Sequence, residues 1–175
     1  FGDETNEGID FSVFDPRIGK VDFEDLVYDK ISTDISELDD FIIARSDGSP
    51  TYNLTVVIDD HDMNITHVIR GEDHISNTPK QLMIYKAMNW ELPAFGHLPM
   101  ILGSDGKRLS KRHGAKGTQT YEELGYFSDS LINYLALLGW NPGNEDEIFN
   151  LQYLIKNFSF DGVNKKSAVF DTAKL

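Results

Sequence analysis

Apolar and polar positions alternate early in this chain, and helical spacing takes over towards its end. Phe11-Ser-Val-Phe14, Val21-Asp-Phe23 and Phe41-Ile-Ile43 read as short strands, separated by Asp, Gly and Pro. Ser-Asp-Gly-Ser-Pro at 46–50 predicts a turn and a boundary. Residues 51–62 read as a helix, against the β-branched run Thr55-Val-Val-Ile58. His67-Val-Ile-Arg70 predicts a short buried strand stopping at Gly71. Thr78, Pro79 and Gln81 follow the order of a capping box, with Thr78 as N-cap and Pro79 opening the helix. That helix is expected to reach about Asn89 and to bury Leu82, Met83, the stem of Lys86 and Ala87. His97-Leu-Pro-Met-Ile-Leu102 predicts the next strand. Strand, helix, strand in this order is a βαβ crossover, so the expected fold class is α/β with a parallel pair.

After Thr118 the pattern turns helical. Thr120 and Glu123 suggest a second capping box, and Ser128 a cap for a helix burying Leu131, Tyr134, Leu135 and Leu138. Gly139 and Pro142-Gly143 stop that helix, Trp140 is expected in the core, and a further helix is expected near Leu151–Asn157.

The chain has 175 residues and a net charge of −13, with no cysteine. Disulfides and thiolate metal sites are therefore excluded, and no local zinc site is expected. Asp59-Asp60-His61 resembles a metal cluster by residue type, but adjacent helical side chains diverge, so no metal ligands are assigned. No apolar run has the length of a membrane span, and a cytoplasmic protein with no membrane partner is the expectation. The acidic run Glu37, Asp39 and Asp40 reads as a solvated face. Against this background Lys107, Arg108, Lys111, Arg112 and Lys116 stand within ten positions, with no acid among them. Glycines at 103, 106, 114 and 117 bracket the island and suggest a hinged loop. A cluster of cations on such a loop suits a polyanion, with a triphosphate as the natural candidate.

Lys-Arg-Leu-Ser-Lys-Arg at 107–112 resembles the K-M-S-K-S loop of class I aminoacyl-tRNA synthetases. The flanks sharpen the resemblance: Asp47–Asn53, Ile58–His61, Thr66–His74, Ser76–Gln81, His97–Leu102 and Leu109–Ala115 occur in the order of the bacterial-type glutamyl-tRNA synthetases. Leu135-Ala-Leu-Leu-Gly-Trp140 and Phe170-Asp171 fit the same family, and the likeness runs over about residues 20–175. The H-I-G-H element of that family does not occur here, so the chain is expected to be a central piece of a longer protein. The resemblance implies three segments. Residues 1–45 would end an inserted α+β domain that binds the tRNA acceptor. Residues 46–118 would form the second half of a Rossmann-like parallel-sheet catalytic fold. Residues 119–175 would begin a helical stem-contact region.

The resemblance also implies the chemistry: glutamate is activated by ATP to glutamyl adenylate and passed to the 3′ end of tRNA(Glu), with Mg²⁺ accompanying ATP. By family position Lys111 stabilises the leaving pyrophosphate, with Arg108 and Arg112 in support and Ser110 orienting the loop. Arg70 would hold the glutamate substrate bidentately, with a hydrogen bond from Tyr52. Asp73 and His74, together with Lys111, would contact ATP. His97 reads as a satisfied structural histidine, and His113 is given no chemistry. A structural ion pair of Arg70 with Glu72 or Asp73 is the competing reading of that arginine. A monomer is the family expectation. Two other functions stay open at this level. One is a glutaminyl-tRNA synthetase or a shortened glutamyl transferase of the same superfamily. The other is a non-catalytic nucleotide- or tRNA-binding module, since half of the nucleotide pocket would be missing.

Overall fold

The computed structural model describes residues 19–110 and 117–175. Strand β1 (Lys20–Asp25) pairs antiparallel with β2 (Asp29–Asp34), in the register Lys20↔Asp34 to Asp25↔Asp29. The turn between them is built by Asp25, whose buried Oδ1 accepts the N–H groups of Val27 and Tyr28, each at 3.0 Å. Asp29 closes it at φ 61°, a left-handed conformation that Asp tolerates better than most residues. β2 escapes a reading by pattern because Ile31 is its only apolar residue.

The expected helix at 51–62 is α1 (Tyr52–Asp62). Its β-branched run is overridden by packing, since Val57 has no exposed surface. Thr51 does not cap it through its side chain; the hydroxyl donates instead to the carbonyls of Ile42 and Ile43. The expected strand at Phe41–Ile43 is absent, and only a bridge between Ala44 and Pro50 forms there. That bridge flanks the predicted turn, where Gly48 takes φ +83° and Asp47 accepts from the amide and hydroxyl of Ser49. Glu37, Asp39 and Asp40 are exposed, as a solvated face requires.

β3 (His67–Gly71) is an edge strand of the four-stranded order β2-β1-β4-β3, where β4 is Ala94–Leu98. β3 is therefore only partly buried, with His67 and Ile69 exposed, and not the buried strand expected. β1 runs parallel to β4 at Asp25↔Phe95, and the amide of Ala94 donates to the Thr66 carbonyl at 2.9 Å. The fold is mixed α/β with a parallel-sheet core.

Between β3 and β4 lies α2 (Thr78–Ala87), which continues a 3-10 helix over Glu72–Asn77. The expected capping box does not form. Asn77 is the cap position, Thr78 already lies inside the helix, and the buried Gln81 gives its amide to Asn53 Oδ1 at 3.1 Å. A helix entered from a preceding 3-10 turn has fewer orphan amides to cap. α2 ends before Asn89, which turns out at φ 54°. Leu82, Ile84 and Tyr85 are its buried apolar residues; Met83 and Lys86 are half-buried and Ala87 is exposed.

The strand expected at His97–Leu102 is two strands in two sheets. β4 ends at Leu98, Pro99 has no N–H to continue a ladder, and β5 (Ile101–Leu102) pairs in parallel with β6 (Ala168–Val169). α3 (Thr118–Glu123) and α4 (Ser128–Leu137) both start without a side-chain cap. Gly117 and Phe127 hold the cap positions, so neither Thr120 nor Ser128 caps as expected. Leu135 is exposed rather than core, and Leu131 and Leu138 are half-buried. α5 (Leu151–Asn157) falls where predicted and is capped by Asn150, which accepts from the Tyr153 amide at 2.8 Å.

The chain divides into two compact units. One takes in the chain through Val68 and His74–Gly96; the other takes Ile69–Asp73 and His97–Leu175. The first is centred on Val21, Phe23, Val57, Leu82, Tyr85 and Phe95. The second holds a smaller cluster of Trp140, Phe149 and Leu154, with the Trp140 indole donating to the Ser159 carbonyl. Within the second unit, the Tyr134 hydroxyl donates to the Asp171 carbonyl and accepts from the Asp171 amide, both at 2.8 Å. Among the described residues no helix is long and apolar enough to cross a membrane.

Burial pushes the Tyr134 phenol above its ordinary value. Folding then favours the neutral phenol. That contribution is fully present below the usual tyrosine range and is lost as pH rises through the raised value. Tyr134→Phe is expected to cost about 1–3 kcal/mol near neutral pH, and the gap to the parent should narrow above about pH 10. Urea midpoints of the two proteins across that pH range measure both effects.

Candidate active site

The chemistry-bearing residues leave the carboxyl end of β3 in an unbroken run. Arg70 is half-buried, and its Nε donates to Nε2 of His97 at 3.1 Å. A guanidinium can only donate, so this imidazole accepts at Nε2 and carries its proton at Nδ1. His97 has no exposed surface, which agrees with its reading as a satisfied histidine and adds a specific partner. Glu72 comes next. Its Oε1 accepts the Met100 N–H at 2.8 Å, just beyond the proline that ends β4. The sequence offered Glu72 only as a possible ion-pair partner of Arg70; the Pro99 that frees the Met100 amide is the hint of this bond.

Asp73 forms an ion pair with Arg108, Oδ2 to Nη1, at 2.8 Å. Gly71 makes room for this carboxylate, since a Cβ there would meet Asp73 Oδ1 at 2.6 Å. The base of the cation loop is a hydrogen-bonded turn. The Gly103 amide donates to the Lys107 carbonyl at 2.8 Å, the Leu109 amide to the Ile101 carbonyl at 2.8 Å, and Gly106 takes φ +74°. Gly103 and Gly106 thus fasten the near side of the loop, where the sequence suggested a hinge. Ser110 is half-buried at its end. Lys111 and Arg112, with His113 and Lys116, lie outside the described residues.

Tyr52 and His74 come together in the first unit. The Tyr52 hydroxyl and Asn77 Nδ2 each lie 3.3 Å from His74 Nδ1, and the Tyr52 and His74 rings tilt at 38° with centroids 6.0 Å apart. Arg70, His97, Asp73, Arg108 and Ser110 all belong to the second unit. Asp59-Asp60-His61 ends α1, and His61 stacks on Trp90 with centroids 3.8 Å apart. Among the described residues there is no group of three or more His, Cys, Asp or Glu able to hold a metal ion.

Residues 13–175 match the family of class I tRNA synthetases (E and Q), catalytic domain. The chain belongs to that family. It is 52% identical over 160 residues to a glutamate–tRNA ligase of Lawsonia intracellularis, covering 91% of this chain and 34% of the relative. It is 53% identical over 172 residues to glutamate–tRNA ligase 2 of Coxiella burnetii, covering 98% of this chain and 36% of the relative. A crystal structure of a glutamate tRNA ligase from Elizabethkingia meningosepticum, in complex with its amino acid, is similar with a TM-score of 0.79 and 36% identity. That match covers 89% of this chain and 35% of the solved one. The chain thus spans about a third of the length of the synthetases it matches.

The Asp73–Arg108 pair is well exposed on the arginine side, so water and salt screen it. Asp73→Asn is expected to change the unfolding free energy by less than about 1 kcal/mol, measured by urea denaturation.

Proposed function

We propose that the protein carrying this chain is a glutamate–tRNA ligase, and that the chain supplies the second half of its catalytic fold. The observation that carries the reading is the close identity to proteins of that name along nearly the whole chain. On this reading residues 1–45 end an acceptor-binding insertion, 46–118 belong to the Rossmann-like domain, and 119–175 begin the stem-contact region. A cytoplasmic location follows, and ATP, L-glutamate and tRNA(Glu) are the partners.

A carboxylate oxygen of glutamate attacks the α-phosphorus of ATP, the bond to the bridging oxygen breaks, and pyrophosphate leaves. A hydroxyl of the terminal tRNA ribose then attacks the carbonyl of the glutamyl adenylate, the acyl–phosphate bond breaks, and AMP leaves as the glutamyl ester forms. Negative charge builds on the phosphate oxygens during the displacement, so pre-placed cations lower the barrier. Lys111 and Arg112 serve that end, with Arg108 and Ser110 at the root of the loop. Mg²⁺ enters as the ion that accompanies the triphosphate, as part of the substrate. Arg70 receives the glutamate carboxylate through its guanidinium, with Tyr52 as a further hydrogen-bonding group. Asp73 and His74 serve the nucleotide. The Asp73–Arg108 bond supports this assignment, because it joins a proposed nucleotide residue to an arginine of the cation loop.

ATP–pyrophosphate exchange and tRNA charging by the full-length protein test the reading. Glutamate should be preferred over glutamine on matched tRNAs; a preference for glutamine would overturn the assignment in favour of a glutaminyl enzyme. Lys111→Ala should lower the exchange rate by about two to three powers of ten with the melting temperature unchanged. Unaltered exchange in that variant would remove Lys111 from the chemistry. The 175 residues alone are expected to form no adenylate.

A further inference from the structure

An arginine side chain has many rotamers, and a bidentate grip on a carboxylate needs the guanidinium plane set before the ligand arrives. In this chain Arg70 rises from the end of β3 and His97 from the neighbouring strand β4. Arg70 Nε meets His97 Nε2 at 3.1 Å, and the imidazole is wholly buried. A ring enclosed on a strand cannot swing, so its acceptor nitrogen is a fixed point.

The geometry points to His97 as the positioning residue of the carboxylate site: its Nε2 lone pair sets the plane of the Arg70 guanidinium and thereby the affinity for the amino-acid substrate. The inference rests on the reading of Arg70 as the residue that holds glutamate. Two features of the bond favour an imidazole for this task. A carboxylate in its place would offset the charge by which Arg70 attracts its ligand, whereas an imidazole accepting at Nε2 leaves that charge intact. The bond also occupies Nε, which closes a side-on approach through Nε and directs recognition to the outer end of the fork. His97 touches no substrate; it acts through Arg70.

The test uses the full-length protein with two substitutions. His97→Leu fills the space without an acceptor, and His97→Gln restores an acceptor oxygen within reach of Nε. In ATP–pyrophosphate exchange, His97→Leu should raise the KM for glutamate about tenfold, with kcat and the KM for ATP within about twofold of the parent. His97→Gln should recover the glutamate KM to within about threefold. An unchanged glutamate KM in His97→Leu would overturn the inference. So would a rise shared equally by ATP and not recovered by His97→Gln, which is the signature of lost packing. If the parent shows no glutamate-dependent exchange, the functional reading fails instead. Crystal structures of the two variants then decide the inference by themselves. An Arg70 guanidinium displaced in His97→Leu but not in His97→Gln supports it, and an unmoved guanidinium in both overturns it.

Discussion

Charged side chains at the end of a half-buried strand must each find a partner, and that demand organises the candidate site. Arg70, Glu72 and Asp73 leave β3 within four residues, and each is engaged by a different part of the second unit. Arg70 takes the buried imidazole of β4, Glu72 takes the backbone amide freed after Pro99, and Asp73 takes Arg108 of the cation loop. Leaving any of them buried and unsatisfied would cost more than a typical hydrogen bond contributes. The same three contacts tie the strand end to segments 27, 28 and 35 residues further along the chain.

Pro99 has an outsized part in this arrangement. It ends β4, lets β5 pair with β6 in another sheet, and leaves the Met100 amide available to Glu72. A continuous strand from His97 to Leu102 would have spent that amide in a ladder. The residues that follow β5 return through the turn at Gly106 and carry Arg108 to Asp73. The root of the cation loop therefore inherits its position from backbone hydrogen bonds, which salt screens far less than it screens the exposed ion pair.

The two units differ in how their stability is built. The first has a larger apolar cluster drawn from strands and helices together, with Phe23 and Phe95 edge to face at 6.1 Å. The second relies on a small cluster around Trp140 and on polar clasps such as Tyr134 to the Asp171 backbone. Arg70, Asp73, Arg108 and His97 sit in that second unit. Preorganised polar groups suit a site that must meet charged ligands without rearranging.

Local pattern determined a good deal. The positions of α1, α5 and β1, the turn at 46–50 and the exposed acidic face were all legible, because periodicity and turn chemistry act within a few residues. The residue order around the cation loop was enough to identify the family, since side-chain chemistry at fixed spacing survives in the primary structure. What no window of sequence contained was the choice among partners. Gln81 had a cap to make and bonded Asn53 instead; Thr120 and Ser128 were displaced from their cap positions; Leu135 kept helical spacing yet faces solvent. His97 was legible as a satisfied structural histidine, but only the adjacency of β3 and β4 gave it Arg70. Hydrogen bonds and burial are settled between segments far apart in the chain, so tertiary packing decided them.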